Sequence, residues 1–341
     1  MGYTEETLND VRSQIDAHSE PLAEARKRLA LVRAKAIAFR GALRTYASGS
    51  LAQHTFIHPI GDGDGGVVLN RSFYPNLGPD GSGEAPQTVA DEMCALLSPA
   101  VREVYPEARC STSKRGPKLY FGQPVDGQDP TVDMVIALTR KYGEGLWIPN
   151  LHTNKWEASH PELHVELFTS GSESLRRTRR RVIRLLKAWN KQYNQPAFSS
   201  HNLSVWAWEF VESGMGMAVA LGTVLAKAAS RVESGAATID PAKVSNNVRL
   251  LISRETAARR LRKAANGLTD ALEHDDDLNA VLSALSGVYW NYLTDPSPNS
   301  LASKAAILRK PQPISTTTLG LGGMASLVTP TRAYGDPKSP W

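Results

Sequence analysis

The spacing of the apolar residues changes near Glu162, and this change constrains the fold more than any other feature of the sequence. Before it, residues 118–121 and 132–138 form short apolar runs of the kind found in strands. After it, apolar residues recur with a helical period through residues 172–194, 216–233 and 253–274. Short strands among helices, followed by helices alone, predict an α+β fold in which a mixed β-sheet with packed helices precedes a helical bundle.

Apolar residues at alternating intervals of three and four predict one long amphipathic helix from Pro21 to about Tyr46. These residues are Leu22, Ala25, Leu29, Val32, Ala36, Phe39 and Leu43. The turn Ser48-Gly49-Ser50 would follow this helix directly. A further helix is predicted over residues 87–103, and Asp240 followed by Pro241 is predicted to cap and begin another.

The composition is that of a globular protein, with 41% hydrophobic and 21% charged residues in a chain of 341. The formal net charge of +5 is compatible with an anionic ligand but does not by itself indicate nucleic-acid binding. No stretch reaches the about 20 apolar residues that span a bilayer, and the polar, acidic first ten residues do not resemble a secretory signal. Two cysteines, Cys94 and Cys110, cannot form a disulfide framework, which fits a reducing compartment. We therefore expect a cytoplasmic protein without a membrane partner.

Three aspartates stand beside or within strand-like runs. Asp62 and Asp64 are separated by one glycine and directly precede Val67-Val68-Leu69, and Asp133 lies inside the run "TVDMVIAL". Carboxylates this close repel one another, and an unpaired charge inside an apolar strand is costly to bury. Both observations favour a cation between the carboxylates. Hard oxygen ligands suit Mg²⁺ or Mn²⁺, above all where substrate phosphates complete the coordination shell.

The turn at Gly49-Ser50 supplies features that suit a phosphate. A glycine lets the backbone approach a phosphate closely, and a serine hydroxyl with neighbouring backbone amides can hold its oxygens. A short helix beginning at Ser50 would add a favourable dipole. The order in the chain is therefore a phosphate-binding turn, two aspartates about a dozen residues later, and a distant aspartate on a strand.

Simpler interpretations of these motifs remain open. "DGDGG" could be a solvated turn, although a calcium loop of the EF-hand type is excluded because Phe73 stands where its twelfth-position glutamate is needed. His160 and His164, four residues apart, could bind zinc if both lie on a helix, but surface or packing roles are the alternative. The basic run at residues 176–181 could contact nucleic acid or a nucleotide phosphate, or form a solvated helix face.

With these residues in place, the sequence resembles the polymerase-β-type nucleotidyltransferases, and among them the cGAS/DncV-like nucleotidyltransferases (CD-NTases) of bacteria. The resemblance rests on "SGSLAQHT", "DGD", "VDMVIAL", "GLWIPN" and "PAFSSHNL", and it covers most of residues 20–293. It implies a two-lobed enzyme with a central cleft. It also implies that Asp62, Asp64 and Asp133 are the catalytic carboxylates and the ligands of Mg²⁺ or Mn²⁺.

The resemblance further implies the substrate-binding residues. Gly49 and Ser50 match the turn that holds the triphosphate of the donor nucleotide. Lys187 and Ser200 match positions that commonly contact the same triphosphate. His201 stands where relatives often have a tyrosine that stacks on the base.

The activity implied by the resemblance is synthesis of a cyclic or linear oligonucleotide second messenger from nucleoside triphosphates, in the anti-phage systems called CBASS. ATP and GTP are the expected substrates, with CTP and UTP as further candidates. Regulatory or effector proteins encoded in the same operon are the expected partners, and direct nucleic-acid binding is not expected. Two alternatives remain: a catalytically silent sensor of nucleotide or RNA, and a transferase that adds nucleotides to RNA or to a small molecule.

Three regions are expected along the chain. Residues 1–160 would form the nucleotidyltransferase core with its long N-terminal helix, and residues 161–294 the helical domain. Residues 295–341 carry seven prolines and no amphipathic period, which predicts a flexible C-terminal tail.

Overall fold

A computed structural model describes residues 2–79, 81, 85–294 and 296. Seven strands of these residues form one mixed sheet with the order β1-β2-β5-β4-β3, to which β6 adds beside β5 and β7 beside β6. β2 and β5 are parallel, and the other pairs are antiparallel. The strands are β1 (Ala42–Ser48), β2 (Asp62–Leu69), β3 (Arg109–Ser113), β4 (Gly116–Tyr120), β5 (Thr131–Thr139), β6 (Leu146–Asn150) and β7 (Lys155–Ser159).

Helices stand before the sheet, between its strands and after it. The first four are α1 (Tyr3–Ile15), α2 (Ser19–Ala36), α3 (Gly49–Gln53) and α4 (Pro86–Arg102). Six more follow within the described residues: α5 (Pro161–Thr169), α6 (Glu173–Lys191), α7 (Ser200–Phe210), α8 (Met217–Ser234), α9 (Arg254–Glu273) and α10 (Leu278–Ser286). A mixed sheet followed by helices confirms the predicted fold class.

The described residues form two large hydrophobic cores and a small cluster of Tyr46, Val68, Ala137 and Leu146. In the first, α2 and α4 cover one face of the sheet, where alternate residues of the two parallel strands are buried, such as Val67 and Leu69 on β2 and Met134 and Ile136 on β5. The second core lies among α6, α7, α8, α9 and α10 and also receives α1. The helix at the start of the chain therefore packs in the helical part. The predicted boundary near residue 160 stays a prediction.

The prediction of one helix from Pro21 to Tyr46 is wrong in its second half. α2 ends at Ala36, and the chain turns at Gly41, whose φ of +71° favours glycine. Residues 42–48 then form β1, which pairs antiparallel with β2. Leu43, counted as part of the apolar helix face, is 50% exposed. The position of Leu43 fits the spacing of a strand as well as that of a helix. Pairing with the buried strand β2 therefore decides for a strand.

The prediction that Asp240 caps a helix is also wrong. Residues 240–245 form a turn, and the Asp240 carboxylate accepts hydrogen bonds from the backbone N–H groups of Val244 (3.1 Å) and Ser245 (2.7 Å). An isolated bridge between Thr238 and Val248 closes the loop around this turn. Asp-Pro starts turns as readily as helices, because an aspartate accepts the same kind of backbone donors in both.

Cys94 on α4 and Cys110 on β3 are joined in a disulfide, with their Cα atoms 5.5 Å apart. A single disulfide agrees with the prediction that the chain has no framework of several bridges. Because the two cysteines are paired, however, they no longer support a reducing compartment. Packing of α4 beside β3 brings the two residues together.

Among the described residues, no helix combines the length and apolarity that crossing a bilayer requires. Apart from Pro296, the predicted tail at residues 295–341 lies outside the described residues.

Candidate active site

The three predicted carboxylates lie on one face of the sheet. Asp64 on β2 is directly opposite Asp133 on the parallel strand β5. Asp62 lies two residues before Asp64 and so points to the same side, because side chains alternate along a strand. Buried Val67 and Met134 belong to the opposite set and face α2 and α4. The aspartates therefore lie on the sheet face that these helices leave open.

The charged form of the Asp64 carboxyl is disfavoured by its surroundings. The pKa of its carboxyl is raised to about 7, first by burial and then by the nearby charges of Asp62 and Asp133, with Lys187 and Lys118 acting in the opposite sense. A carboxylate in such surroundings favours a bound proton or a bound cation. The donor set is thus one that a divalent metal ion fits.

Asp133 has a partner that the sequence analysis missed. The Nζ of Lys118, directly opposite on β4, donates to Oδ2 of Asp133 at 2.6 Å, and the Ser113 hydroxyl donates to Oδ1 at 3.3 Å. The Asp133 side chain is 24% exposed. The assumption of an unpaired, deeply buried charge is therefore wrong for this residue. The sequence did contain a signal for this contact. Lys118 alternates with the buried Leu119, so its side chain lies on the same open face of the sheet as Asp133.

The Gly49-Ser50 turn lies directly against Asp64. Ser48 at the end of β1 pairs with Asp64, and α3 begins at Gly49, whose φ is +62°. A Cβ at Gly49 would overlap with Oδ2 of Asp64. Glycine is thus required both by the backbone conformation and by the approach of the carboxylate.

Gly49→Ala should lower the free energy of unfolding by about 1 to 2 kcal/mol, because of its positive φ and the displaced Asp64 side chain. Gly61→Ala is the matched control, since a Cβ there meets no atom within 4 Å. Urea denaturation of both variants checks this. Equal stability of the two variants would contradict the close approach.

A cavity of about 690 Å³ lies between the sheet and the helical part. Seven of the eight predicted site residues line it: Gly49, Ser50, Asp62, Asp64, Lys187, Ser200 and His201. Asp133 is beside Asp64 on the neighbouring strand and does not line the cavity. Residues that are far apart in the sequence are therefore brought to one cleft.

Lys187 reaches the cleft from α6 and is buried. Its Nζ donates to the carbonyl oxygen of Thr55 at 2.8 Å and to the Thr55 hydroxyl at 3.2 Å. The pKa of Lys187 is lowered to about 8, first by burial and then by Lys191, with Asp64 and Asp62 acting in the opposite sense. A desolvated ammonium at the edge of a cleft is suited to an anionic ligand.

No protein-family model and no curated protein sequence matches the chain. Solved structures do match. CdnC of E. coli MS115-1, in a complex with HORMA-deltaN, has a TM-score of 0.64 and 15% identity over 85% of this chain and 98% of its own. The CD-NTase CdnG of Bradyrhizobium diazoefficiens with GTP has a TM-score of 0.61 and 16% identity, over 84% and 95%. The cyclic AMP-GMP synthase DncV of Vibrio cholerae has a TM-score of 0.53 and 15% identity, over 74% and 70%.

This chain has the fold of the CD-NTases. The match extends over most of the chain, which confirms the resemblance inferred from the sequence at the level of the fold. The identities are too low to carry residue roles across.

On this CD-NTase fold, His201 lies near the start of α7 with its ring against another histidine. The ring centroids of His201 and His164 are 4.7 Å apart in an edge-on arrangement, and both residues line the cleft. The pKa of His201 is lowered to about 4, first by burial and then by the nearby His164, so the His201 imidazole is neutral at pH 7. The predicted role of this ring on a nucleotide base stays a prediction.

The alternative of a zinc pair formed by His160 and His164 does not fit the geometry. His160 precedes α5, where its Nδ1 accepts a hydrogen bond from the backbone N–H of Leu163 at 3.2 Å. His164 instead contacts Asp240, with 2.5 Å between Nε2 and Oδ1. The spacing of four residues suggested His160 as the partner of His164, whereas the actual partner, Asp240, lies 76 residues away in the sequence.

The basic run at residues 176–181 lies on α6 and has mostly structural contacts. Arg179 donates to the carbonyl oxygen of Trp208 at 2.8 Å, and Arg177 pairs with Glu173 at 2.7 Å. Further along the helix, the Arg184 guanidinium lies 4.9 Å from the ring centre of Phe56, which lines the cleft. These contacts favour a solvated and packed helix face over a nucleic-acid interface.

Proposed function

We propose that this chain is a metal-dependent nucleotidyltransferase of the CD-NTase type, which synthesises a cyclic or linear oligonucleotide messenger from nucleoside triphosphates. One observation carries the proposal. Asp62, Asp64 and Asp133 lie on the same open face of the sheet, Asp64 directly opposite Asp133, with the Gly49-Ser50 turn against Asp64. Carboxylates beside a phosphate-binding turn are the arrangement that phosphoryl transfer needs.

The carboxylates fit a divalent cation of the Mg²⁺ or Mn²⁺ class. Asp62, Asp64 and Asp133 would hold it, and Lys118 would have to release Asp133 in part, because it occupies one of its oxygens. When bound, such ions neutralise charge that develops on the transferring phosphoryl group and favour loss of the proton from the attacking hydroxyl. The raised pKa of Asp64, caused by burial and then by the charges of Asp62 and Asp133, supports this assignment, since a bound cation stabilises the charged carboxylate.

The cleft residues would bind and orient two nucleotides. Backbone amides and the hydroxyl at Gly49-Ser50 would hold the donor triphosphate, with Lys187 and Ser200 as further contacts. The flat, neutral ring of His201 would contact a base. ATP and GTP are the proposed substrates, with CTP and UTP as candidates.

The reaction is an in-line substitution at phosphorus. A ribose hydroxyl of the acceptor forms a bond to the α-phosphorus of the donor and gives up its proton, while the bond to pyrophosphate breaks. A second substitution within the linear product would close the ring. The residues of this chain contribute by holding both nucleotides in line and by excluding water from the cleft.

The proposed setting is anti-phage signalling of the CBASS type in the cytoplasm, with an effector that responds to the product. The similar fold of DncV, a cyclic AMP-GMP synthase, supports the reaction class. The complex of CdnC with HORMA-deltaN supports a regulatory protein as the partner.

Incubation of the purified chain with each α-³²P-labelled nucleoside triphosphate and Mg²⁺, followed by thin-layer chromatography, tests the proposal. We expect a phosphatase-resistant oligonucleotide and release of pyrophosphate. Parallel reactions with RNA separate the alternatives. Label transferred to RNA would indicate a terminal transferase, and no transfer with any metal or nucleotide would indicate a silent sensor.

Lys187→Ala should weaken binding of a non-hydrolysable ATP analogue by roughly one to two decades, because a charge-assisted contact contributes about 1.5 to 3 kcal/mol. Isothermal titration calorimetry measures this. Arg177→Ala, an exposed change on the same helix, is the control and should leave the affinity unaltered. Unchanged affinity in Lys187→Ala would remove this residue from the triphosphate site.

A further inference from the structure

A second group of side chains that could ligate a metal ion lies at the wall of the cleft. His164 comes from α5, His201 from α7, and Asp240 from the turn that follows α8. One ligand atom from each residue lies within 4.8 Å of the other two. Three separate segments of the chain therefore place two imidazoles and one carboxylate around a single point.

We propose that His164, His201 and Asp240 bind one Zn²⁺ ion, or another transition-metal ion that prefers nitrogen ligands, in a site separate from the three catalytic aspartates. Two imidazole nitrogens and a carboxylate oxygen form a common ligand set for zinc. The same set suits Mg²⁺ poorly, since that ion prefers oxygen ligands alone. The two sites would thus select different metals.

Asp240 is already held in the orientation that a metal ligand needs. Its Oδ2 accepts the backbone N–H groups of Val244 and Ser245 at 3.1 and 2.7 Å. Its Oδ1 lies 2.5 Å from Nε2 of His164, with a longer contact to the N–H of Ala242 at 3.4 Å. Backbone donors on one oxygen leave the other directed at the histidines, as outer-shell partners do in known metal sites.

The distances require only a small rearrangement. Ligand atoms around a tetrahedral zinc ion lie roughly 3.3 Å apart, given bonds of about 2.0 to 2.1 Å. The contact between His164 and Asp240 must therefore lengthen by somewhat less than about 1 Å, and no separation in the group must shorten by more than about 1.5 Å. Small rotations of the three side chains would make changes of this size without moving the helices.

The fourth coordination position would face the cleft. His164 and His201 line the cavity, whereas the Asp240 side chain is 1% exposed and lies behind them. Three protein ligands with one open position are typical of zinc sites that bind water or substrate, whereas structural sites are closed by four protein ligands. The ion would therefore present its open position to whatever occupies the cleft.

Cobalt binding to the full chain tests this site without any requirement for turnover, so its outcome is independent of the proposed function. The chain should carry Asp62→Asn and Asp64→Asn to disable the oxygen-rich site, and it should be freed of metal with a chelator. Titration with Co²⁺ should give one ion per chain, with the intense visible absorption of tetrahedral cobalt, and Zn²⁺ should displace it.

His201→Gln is the deciding variant, because Asp240 also holds its own turn and Asp240→Asn could loosen the loop. We expect at least about 100-fold weaker Co²⁺ binding in His201→Gln, since loss of outer partners alone weakens metal binding 10- to 100-fold. His152→Gln, an exposed histidine outside the group, should bind as the parent does. Absence of binding in the parent, a weak octahedral spectrum, or equal binding in His201→Gln would overturn the proposal and leave a hydrogen-bonded His-Asp pair.

Discussion

A chain that carries both Asp62→Asn and Asp64→Asn will form oligonucleotide product at a rate at least about 1,000-fold below that of the parent, equal to about 4 kcal/mol of lost transition-state stabilisation. Amides retain the shape of the carboxylates but lose the charge that, in the proposed function, would hold a divalent ion at the transferring phosphate. Thin-layer analysis of reactions with labelled nucleotides measures the loss.

The double variant should nevertheless fold. Removing two like charges beside Asp133 relieves repulsion, so the midpoint of thermal unfolding should be no lower than that of the parent. Asp91→Asn on the exposed side of α4 is the matched control and should keep full activity. Product formation within a few-fold of the parent would refute the assignment of these carboxylates.

Asp64→Asn alone should stabilise the metal-free protein by roughly 2 to 4 kcal/mol at pH 8. The folded-state pKa of Asp64 is raised to about 7 from an ordinary value of 3.8, mainly by burial. A group with a raised pKa binds more protons in the folded state, so the wild-type protein loses stability as the pH rises from about 4 to about 7. The full penalty is present above about pH 7.

Urea denaturation in the presence of a chelator, at pH 4.5 and pH 8, measures this effect. The gain in Asp64→Asn should be small at the lower pH and largest at the higher one. Asp62→Asn is the control, because Asp62 is exposed and should gain less. A gain in Asp64→Asn that does not depend on pH would mean that the carboxylate is not under the expected strain.

The placement of the aspartates could be predicted in part from the sequence. Asp62 and Asp64 share a face because strands alternate, and Asp133 interrupts an apolar run at a position of opposite parity to its buried neighbours. Their meeting also needs β2 and β5 to be parallel with Asp64 opposite Asp133. That register depends on packing across the sheet, and no local pattern encodes it.

The missed features all depend on contacts between distant segments. Lys118 is a partner of Asp133 only because β4 lies beside β5. Asp240 contacts His164 on a helix 76 residues earlier, so the local signal at Asp-Pro led to a helix cap instead of a turn. The apolar spacing up to Leu43 was compatible with a helix, and pairing with β2 decided for a strand. In each case tertiary contacts outweighed local propensity.

Anomalous diffraction from crystals grown with Mn²⁺ and a non-hydrolysable ATP analogue would locate both the metal ion and the triphosphate in the cleft. We expect manganese within about 2.5 Å of carboxylate oxygens of Asp62 and Asp64, with Asp133 at the same centre and the triphosphate against Gly49-Ser50. A triphosphate elsewhere in the cleft, or manganese that avoids these carboxylates while the analogue is bound, would contradict this expectation.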